Sequence, residues 1–99
     1  MKTAFVIIRS PQELDPTHMM HRVAGREEST AILFEDAVYN ALQAAPAERL
    51  GKAAHEVLVA ADDLEARGFS QDDLKVGMAV RYEDLVDCIM ERTERTVSV

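Results

Sequence analysis

Cysteine, glycine, proline and aromatic residues are all scarce in this chain of 99 residues. The one cysteine, Cys88, has no partner for an internal disulfide, which excludes a disulfide-stabilised scaffold and predicts a reducing, cytoplasmic location. Four glycines and three prolines form no glycine-rich loop after the first apolar run, which excludes a P-loop or dinucleotide-binding motif. With three Phe, two Tyr and no Trp, the core is predicted to consist of Val, Leu, Ile, Ala and Met.

Long hydrophobic runs and positive charge are also lacking. The first apolar run, Ala4–Ile8, meets Arg9 too early for the core of a signal peptide, and no run approaches the roughly 18 residues of a membrane span. Lys and Arg number 11 against 18 Asp and Glu, which gives a formal net charge of −7. Because so acidic a chain repels a phosphate backbone, we expect a soluble protein that binds neither nucleic acid nor membrane.

Short apolar runs alternate with amphipathic segments along residues 1–99, which are predicted to form a single domain. Uninterrupted apolar runs with branched residues are typical of parallel strands that helices cover on both faces. The predicted strands are Ala4–Ile8, Ala31–Phe34, Val57–Ala61, Met78–Val80 and, as an alternating edge strand, Thr96–Val99.

Helix start and stop signals lie between these runs. The predicted helices are Pro16–Ala24, Glu35–Leu42, Asp63–Arg67 and Tyr82–Arg95. The Ala-rich segment Gln43–Lys52 around Pro46 is predicted to be a loop or an extra helical turn. The alternation predicts an α/β fold, a three-layer α/β/α sandwich with a mostly parallel sheet of four to five strands.

Ligands of an open α/β sheet bind beyond the carboxyl ends of its strands, which here are Arg9-Ser10-Pro11, Glu35-Asp36-Ala37 and Asp62-Asp63. Ser10 has no strained, Gly-flanked turn around it, so a helix cap explains it better than a nucleophile does. Glu35 and Asp36 are adjacent and point in different directions, and the helix dipole favours acids at this position. These loops therefore contain no complete catalytic set.

The remaining candidates are histidines and a thiol. His18 and His21 lie three residues apart on a predicted helix, but with only the distant His55 to join them they make an incomplete metal site. Cys88 lies mid-helix among acids at the border of an apolar stripe, which predicts a semi-buried, unreactive thiol. The sequence predicts neither a metal nor a cofactor, and it favours a binding or assembly module over an enzyme that uses Cys88.

Several segments, taken in order, resemble one family. They are Ile8–Pro11 at the end of the first strand, Ala31–Leu42, Val57–Phe69, Arg81–Asp87 and the closing Thr96–Val99. In combination, the stretches LFEDAVYNAL, DLEARGF and YEDLVD resemble the DsrH/TusB family of small sulfur-relay subunits. The resemblance covers nearly the whole chain, from Ile8 to Val99.

The resemblance implies a DsrE/DsrF-like fold and a hetero-oligomer with DsrE/TusD-like and DsrF/TusC-like subunits. Such complexes pass a persulfide sulfur to tRNA wobble-uridine thiolation or through dissimilatory sulfur oxidation, and the main sulfur-carrying cysteine belongs to the DsrE/TusD-like partner. Some members carry a second cysteine on the first helix, at the position of Met20 here. A thioether cannot form a persulfide, so the resemblance implies that this chain carries no sulfur itself. Further departures from the family pattern are Ala37, where Gly is common, and Val99, where an aromatic is common.

The leading hypothesis is a non-catalytic subunit of a sulfurtransferase complex, which shapes the persulfide site of its partner. The candidate interface residues are Arg9, Ser10, Pro11, Glu35, Asp36 and Tyr39. The alternative is a free-standing homo-oligomeric α/β module with a regulatory or ligand-binding role. An unblocked sheet edge at Thr96–Val99 and thin helix cover predict that the isolated chain forms a homo-oligomer.

Overall fold

Five parallel strands form a single sheet in the computed structural model, which describes residues 1–99. The strands are β1 (Thr3–Ile7), β2 (Ser29–Leu33), β3 (Glu56–Ala60), β4 (Met78–Val80) and β5 (Arg95–Ser98). They lie in the order β4-β3-β2-β1-β5, and every neighbouring pair is parallel. The predicted α/β fold with a parallel sheet is confirmed, and only the ends of the strands shift.

Helices fill the connections between the strands. They are α1 (Thr17–Val23), α2 (Tyr39–Leu42), α3 (Ala44–Ala53), α4 (Ala61–Ala66) and α5 (Tyr82–Asp87), which continues as the π-helical turn Cys88–Arg92. Short 3-10 turns occupy Arg26–Glu28, Glu35–Val38 and Gln71–Asp73. None of these helices combines the length and the apolar composition that a membrane crossing needs.

The direction in which the chain crosses the sheet places four helices on one face and one on the other. From β1 to β4 each crossover moves to the next strand on the same side, whereas the connection after β4 returns across the sheet to β5. Since crossovers between parallel strands are right-handed, a reversal of direction puts the returning helix on the opposite face. Accordingly, α1 to α4 contribute to one apolar cluster and α5 contributes to a second. The layers form the predicted three-layer sandwich, with α5 alone covering one face.

Burial on both faces explains why the three central strands, β1, β2 and β3, lack polar alternation. On the face of α1 to α4, a cluster of 14 buried residues includes Phe5 and Ile7 of β1 and Leu33 of β2. On the face of α5, a cluster of six buried residues includes Ile32 and Leu58. Each fully buried side chain of this size contributes about 1.5–3 kcal/mol. The first face therefore carries most of the hydrophobic stabilisation, and the face of α5 is the less covered one.

Two helix predictions need correction. The segment Gln43–Lys52 is neither a loop nor a single turn, because most of it belongs to the ten-residue helix α3. Pro46 does not interrupt α3, since it lies in the first turn, where backbone N–H groups have no partner within the helix. The predicted helix Tyr82–Arg95 ends earlier, at Arg92. There the hydroxyl of Thr93 donates to the carbonyl oxygens of Cys88 and Ile89 and closes the helix end.

Candidate functional site

The carboxyl ends of the strands bring the loops predicted from the sequence to one edge of the sheet. Arg9 follows β1, and Glu35 and Asp36 follow the neighbouring β2. The buried side chain of Asn40 joins the two loops, since its Nδ2 donates to the carbonyl oxygens of Arg9 at 3.4 Å and Ala37 at 3.1 Å. Arg9, Glu35 and Asp36 are exposed, so this edge presents charged groups of both signs.

Local contacts order Tyr39 and the Ser10-Pro11 turn at the same edge. The half-buried ring of Tyr39 meets Phe69 edge to face, with centroids 6.0 Å apart and an interplanar angle of 85°. The N–H and the hydroxyl of Ser10 donate to Glu13 Oε1 at 3.3 and 3.2 Å. The predicted capping contact therefore forms, but it closes an isolated turn that contains Pro11 and does not begin a helix.

The start of α1 depends on Asp15 instead. Its Oδ1 accepts hydrogen bonds from the N–H of Thr17 at 3.0 Å and from the hydroxyl of Thr17 at 2.6 Å. Its Oδ2 lies 3.2 Å from Arg49 Nε and 3.7 Å from His18 Nε2. Partial burial raises the pKa of Asp15, but the hydrogen bonds from Thr17 and the charges of Arg49 and His18 outweigh burial and hold it below its ordinary value of 3.8. Asp15 is a charged contact that orders the entry to α1.

Glu35 and Asp36 have separate structural partners. Glu35 adopts a left-handed backbone with φ of 50°, and its N–H donates to Asp63 Oδ2 at 2.8 Å. Asp36 Oδ1 accepts from the guanidinium of Arg67 at 2.8 and 3.1 Å, and this hydrogen bond raises the pKa of Arg67. Asp36 is held in an ion pair with Arg67. Glu35 and Asp36 therefore serve to anchor their loop on α4 and do not form a catalytic acid–base pair. The sequence analysis did not single out Arg67; the contact arises because β2 pairs with β3, which brings the loop after β2 next to the end of α4.

A small cavity opens between the carboxyl ends of β3 and β4, where successive crossovers leave for opposite faces of the sheet. Such a point is the usual ligand position in an open α/β sheet. The cavity measures about 240 Å³, below the roughly 300–1,000 Å³ of most ligand pockets. Its one cation, Arg81, already donates to Asp62 at 2.8 Å and to Glu65 at 3.1 Å. The site is too small and too fully paired for a cofactor-sized ligand.

Cys88 borders a second cavity, at the amino end of the sheet. This cavity measures about 290 Å³ and is lined by Lys2, Thr30, His55, Glu56, Cys88, Arg92 and Thr93. Cys88 is only 1% exposed, so it is more deeply buried than its predicted border position indicated. Its charged neighbour is Arg92, and contact with the Cys88 thiol and the charge of Glu56 raise the pKa of that guanidinium. The side chain of Cys88 is almost completely buried, which fits a packing role.

Met20 lies inside the core of the first face and is fully buried in the same cluster as Phe5. The neighbouring His18 and His21 are exposed, and no group of three His, Cys, Asp or Glu side chains is placed to hold a metal ion. The third histidine, His55, lies at the amino end of the sheet, away from this pair. Position 20 is therefore closed to a partner in this arrangement of α1.

The free edge of β5 borders an open groove against α1. β5 pairs with β1 on one side only, so the backbone of its other side is unpaired. The groove measures about 830 Å³ and is lined by Glu13, Leu14, Asp15, His18, Met19, Arg22, Val23, Ser98 and Val99. Arg95, the cationic residue of β5, is exposed, and its guanidinium donates to the Thr3 hydroxyl at 3.0 Å and to the Val23 carbonyl at 3.3 Å. The predicted edge is present and unblocked.

The chain is similar to one protein family and to solved structures. The family model described as DsrH like protein matches residues 9–95, which include the carboxyl-edge loops and α5. A similar solved structure is the solution NMR structure of protein Tm0979 from Thermotoga maritima, with a TM-score of 0.63 and 26% identity. That similarity covers 87% of this chain and 90% of the other. Comparison with curated proteins gave no match. Because the family model spans most of its length, this chain belongs to the DsrH family.

Proposed function

We propose that this chain is a non-catalytic subunit of a sulfur-relay complex and shapes the persulfide site of a partner without carrying sulfur. The observation that carries the proposal is the DsrH match over residues 9–95 in a chain without an accessible thiol. Cys88 is the only cysteine, and it is enclosed between α5 and the sheet. Met20 is a buried thioether, which has no ionisable proton and forms no persulfide.

The partners in this proposal are a DsrE/TusD-like subunit, which carries the sulfur, and a DsrF/TusC-like subunit. The carboxyl-edge residues Arg9, Ser10, Pro11, Glu35, Asp36 and Tyr39 are the proposed contact with them. Ordered loops support this role, because the Asn40 and Arg67 contacts fix both loops before a partner binds. The sulfur leaves the complex for tRNA wobble-uridine thiolation or for dissimilatory sulfur oxidation.

Co-expression of the tagged chain with the DsrE- and DsrF-like proteins of the same genome tests the assignment. We expect the three chains to purify together and, after treatment with a persulfide donor, the mass of one added sulfur on the DsrE-like subunit only. Arg9→Glu is expected to weaken assembly, while Lys75→Glu, an exposed substitution of the same charge change outside the edge, serves as the control. If the chain binds neither partner and forms only a homo-oligomer, the result would support the free-standing module instead.

A further inference from the structure

The outer side of α5 carries an apolar ridge that the fold does not use. Tyr82, Val86 and Met90 follow one another at four-residue spacing along α5 and its π-helical turn, and they are 58%, 36% and 74% exposed. The side of the helix that holds Leu85 and Cys88 packs against the sheet. Three apolar side chains in a row on one exposed helix side are unusual for a surface that stays in water.

Unpaired carboxylates flank this ridge. Glu83, Asp84, Asp87 and Glu91 are exposed, and none of them takes part in an ion pair. The helix dipole favours acids in the first turn, which accounts for Glu83 and Asp84. It gives no such support to Asp87, and it disfavours Glu91 in the last turn. Helix stability therefore does not explain why the acids continue along the whole ridge.

The cations near the ridge form ion pairs with carboxylates outside it. Arg81, just before α5, bonds to Asp62 and Glu65, and Arg92 at the other end is directed to Glu56. The ridge is thus apolar in the middle and negative along its length. The complementary surface is an apolar groove with Lys or Arg at its rim.

We propose that α5 docks, through Tyr82, Val86 and Met90, in a basic-rimmed apolar groove of another subunit of the complex. This inference rests on the proposed function, and it adds the contact surface and the chemistry of the partner. A second copy of this chain is a poor match, because a two-fold contact through α5 brings the acidic surfaces of both copies into one interface and supplies no basic rim.

The ridge is continuous with the carboxyl edge of the sheet. Tyr82 meets the ring of Phe34 edge to face, with centroids 6.3 Å apart, and Phe34 directly precedes Glu35. Ile8, the residue after β1, is 48% exposed and extends the apolar surface at this edge. A standard interface hides about 800 Å² on each partner, more than three helical side chains supply. A partner on α5 would therefore also contact the carboxyl-edge loops.

Two double variants test the two components of this surface. Val86→Ser with Met90→Ser removes the apolar ridge, and Asp87→Lys with Glu91→Lys reverses the charge beside it. Both pairs are exposed, so unfolding in urea is expected to stay near that of the wild type. The matched control is Glu48→Lys with Asp72→Lys, which makes the same change of charge on α3 and on the Gln71–Asp73 turn.

The affinity of each variant for the purified DsrE- and DsrF-like partners is measured at low and at high salt. We expect each α5 variant to bind about tenfold more weakly or worse, and the control to stay within about twofold of the wild type. The loss in the charge variant should shrink at high salt, because salt screens both the attraction of the wild-type carboxylates to a basic rim and the repulsion of the introduced lysines.

Failure of this inference is distinguishable from failure of the proposed function. A wild-type chain that binds the partners while both α5 variants bind equally well overturns the α5 contact and leaves the proposed function standing. A wild-type chain that binds neither partner overturns the proposed function and this contact with it. Self-association that Val86→Ser with Met90→Ser abolishes would make a second copy the occupant and overturn the charge argument.

Discussion

Asp15 shows how one carboxylate fixes the beginning of a helix. It accepts two hydrogen bonds from Thr17 and pairs with Arg49 on α3, so it links the turn before α1 to a second helix. We expect Asp15→Ala to lower the free energy of unfolding by about 1 kcal/mol at neutral pH, as loss of a helix-start side chain usually does. Asp15→Asn, which keeps an acceptor oxygen and loses the charge, should cost less. Urea unfolding of the three proteins measures both effects.

The difference in the free energy of unfolding between the wild type and Asp15→Asn is expected to depend on pH. Because the pKa of Asp15 is lowered in the folded state, the unfolded chain binds the proton more readily. The stabilisation by the charge is fully present above the ordinary value of 3.8, and it is lost as the pH falls through the lower folded-state value. The gap between wild type and Asp15→Asn should therefore close below this range. A gap that persists in strong acid would contradict the role of the charge.

Cys88 permits a direct test of the alternative in which this chain is an enzyme. The side chain is buried beside Leu85 and Leu58, so Cys88→Ala leaves a small cavity that should cost about 1 kcal/mol of stability. Because the sulfur is enclosed, sulfur transfer by the reconstituted complex is expected to be unchanged. Transfer rates are to be compared at equal amounts of assembled complex. A large loss of transfer with assembly intact would restore the hypothesis that Cys88 reacts.

At the scale of elements, the close packing of the segment before β4 against β3 requires a glycine at position 77. Its φ is 82°, and a Cβ atom there would lie 2.6 Å from the carbonyl oxygen of Val57 in β3. Neither the left-handed backbone nor the backbone contact tolerates a side chain, so Gly77→Ala should cost more than about 2 kcal/mol. Gly25→Ala is the control, because nothing lies within 4 Å of its Cβ position and its φ is −73°. Equal unfolding midpoints for the two variants would contradict this account.

The strands were more predictable than the helices, and the reason is physical. Both faces of the sheet are covered at β1, β2 and β3, so each of these strands contains a continuous apolar run whose signal does not depend on its neighbours. The helix α3 was missed because Pro46 indicates a break unless the position of the first turn is known. The π-helical turn at Cys88–Arg92 follows from packing against the sheet, which no local pattern encodes.

At the scale of the whole molecule, parallel topology made the location of the candidate edge predictable. The carboxyl ends of neighbouring strands must meet, so Arg9, Glu35 and Asp36 were expected to lie at one edge, and they do. The individual contacts were not predictable, since Asp36 pairs with a residue 31 positions away in sequence. Cys88 and Arg92 are the exception, because four-residue spacing on a helix already brings a guanidinium towards the thiol.

The distribution of charge over the molecule leads to a last prediction, that the isolated chain does not bind tRNA. Six of its 11 Lys and Arg residues are in ion pairs with carboxylates, namely Arg26, Arg49, Lys52, Arg67, Arg81 and Arg92. The guanidinium of Arg95 is hydrogen-bonded to the Thr3 hydroxyl, and the remaining cations lie on a chain whose net charge is −7. A basic stripe that follows a phosphate backbone therefore does not form. A gel shift of the purified protein with tRNA at physiological salt should show no complex at micromolar concentration, with the assembled sulfur-relay complex run beside it. Salt-sensitive micromolar binding by the isolated chain would contradict the prediction and show that this subunit contacts RNA directly.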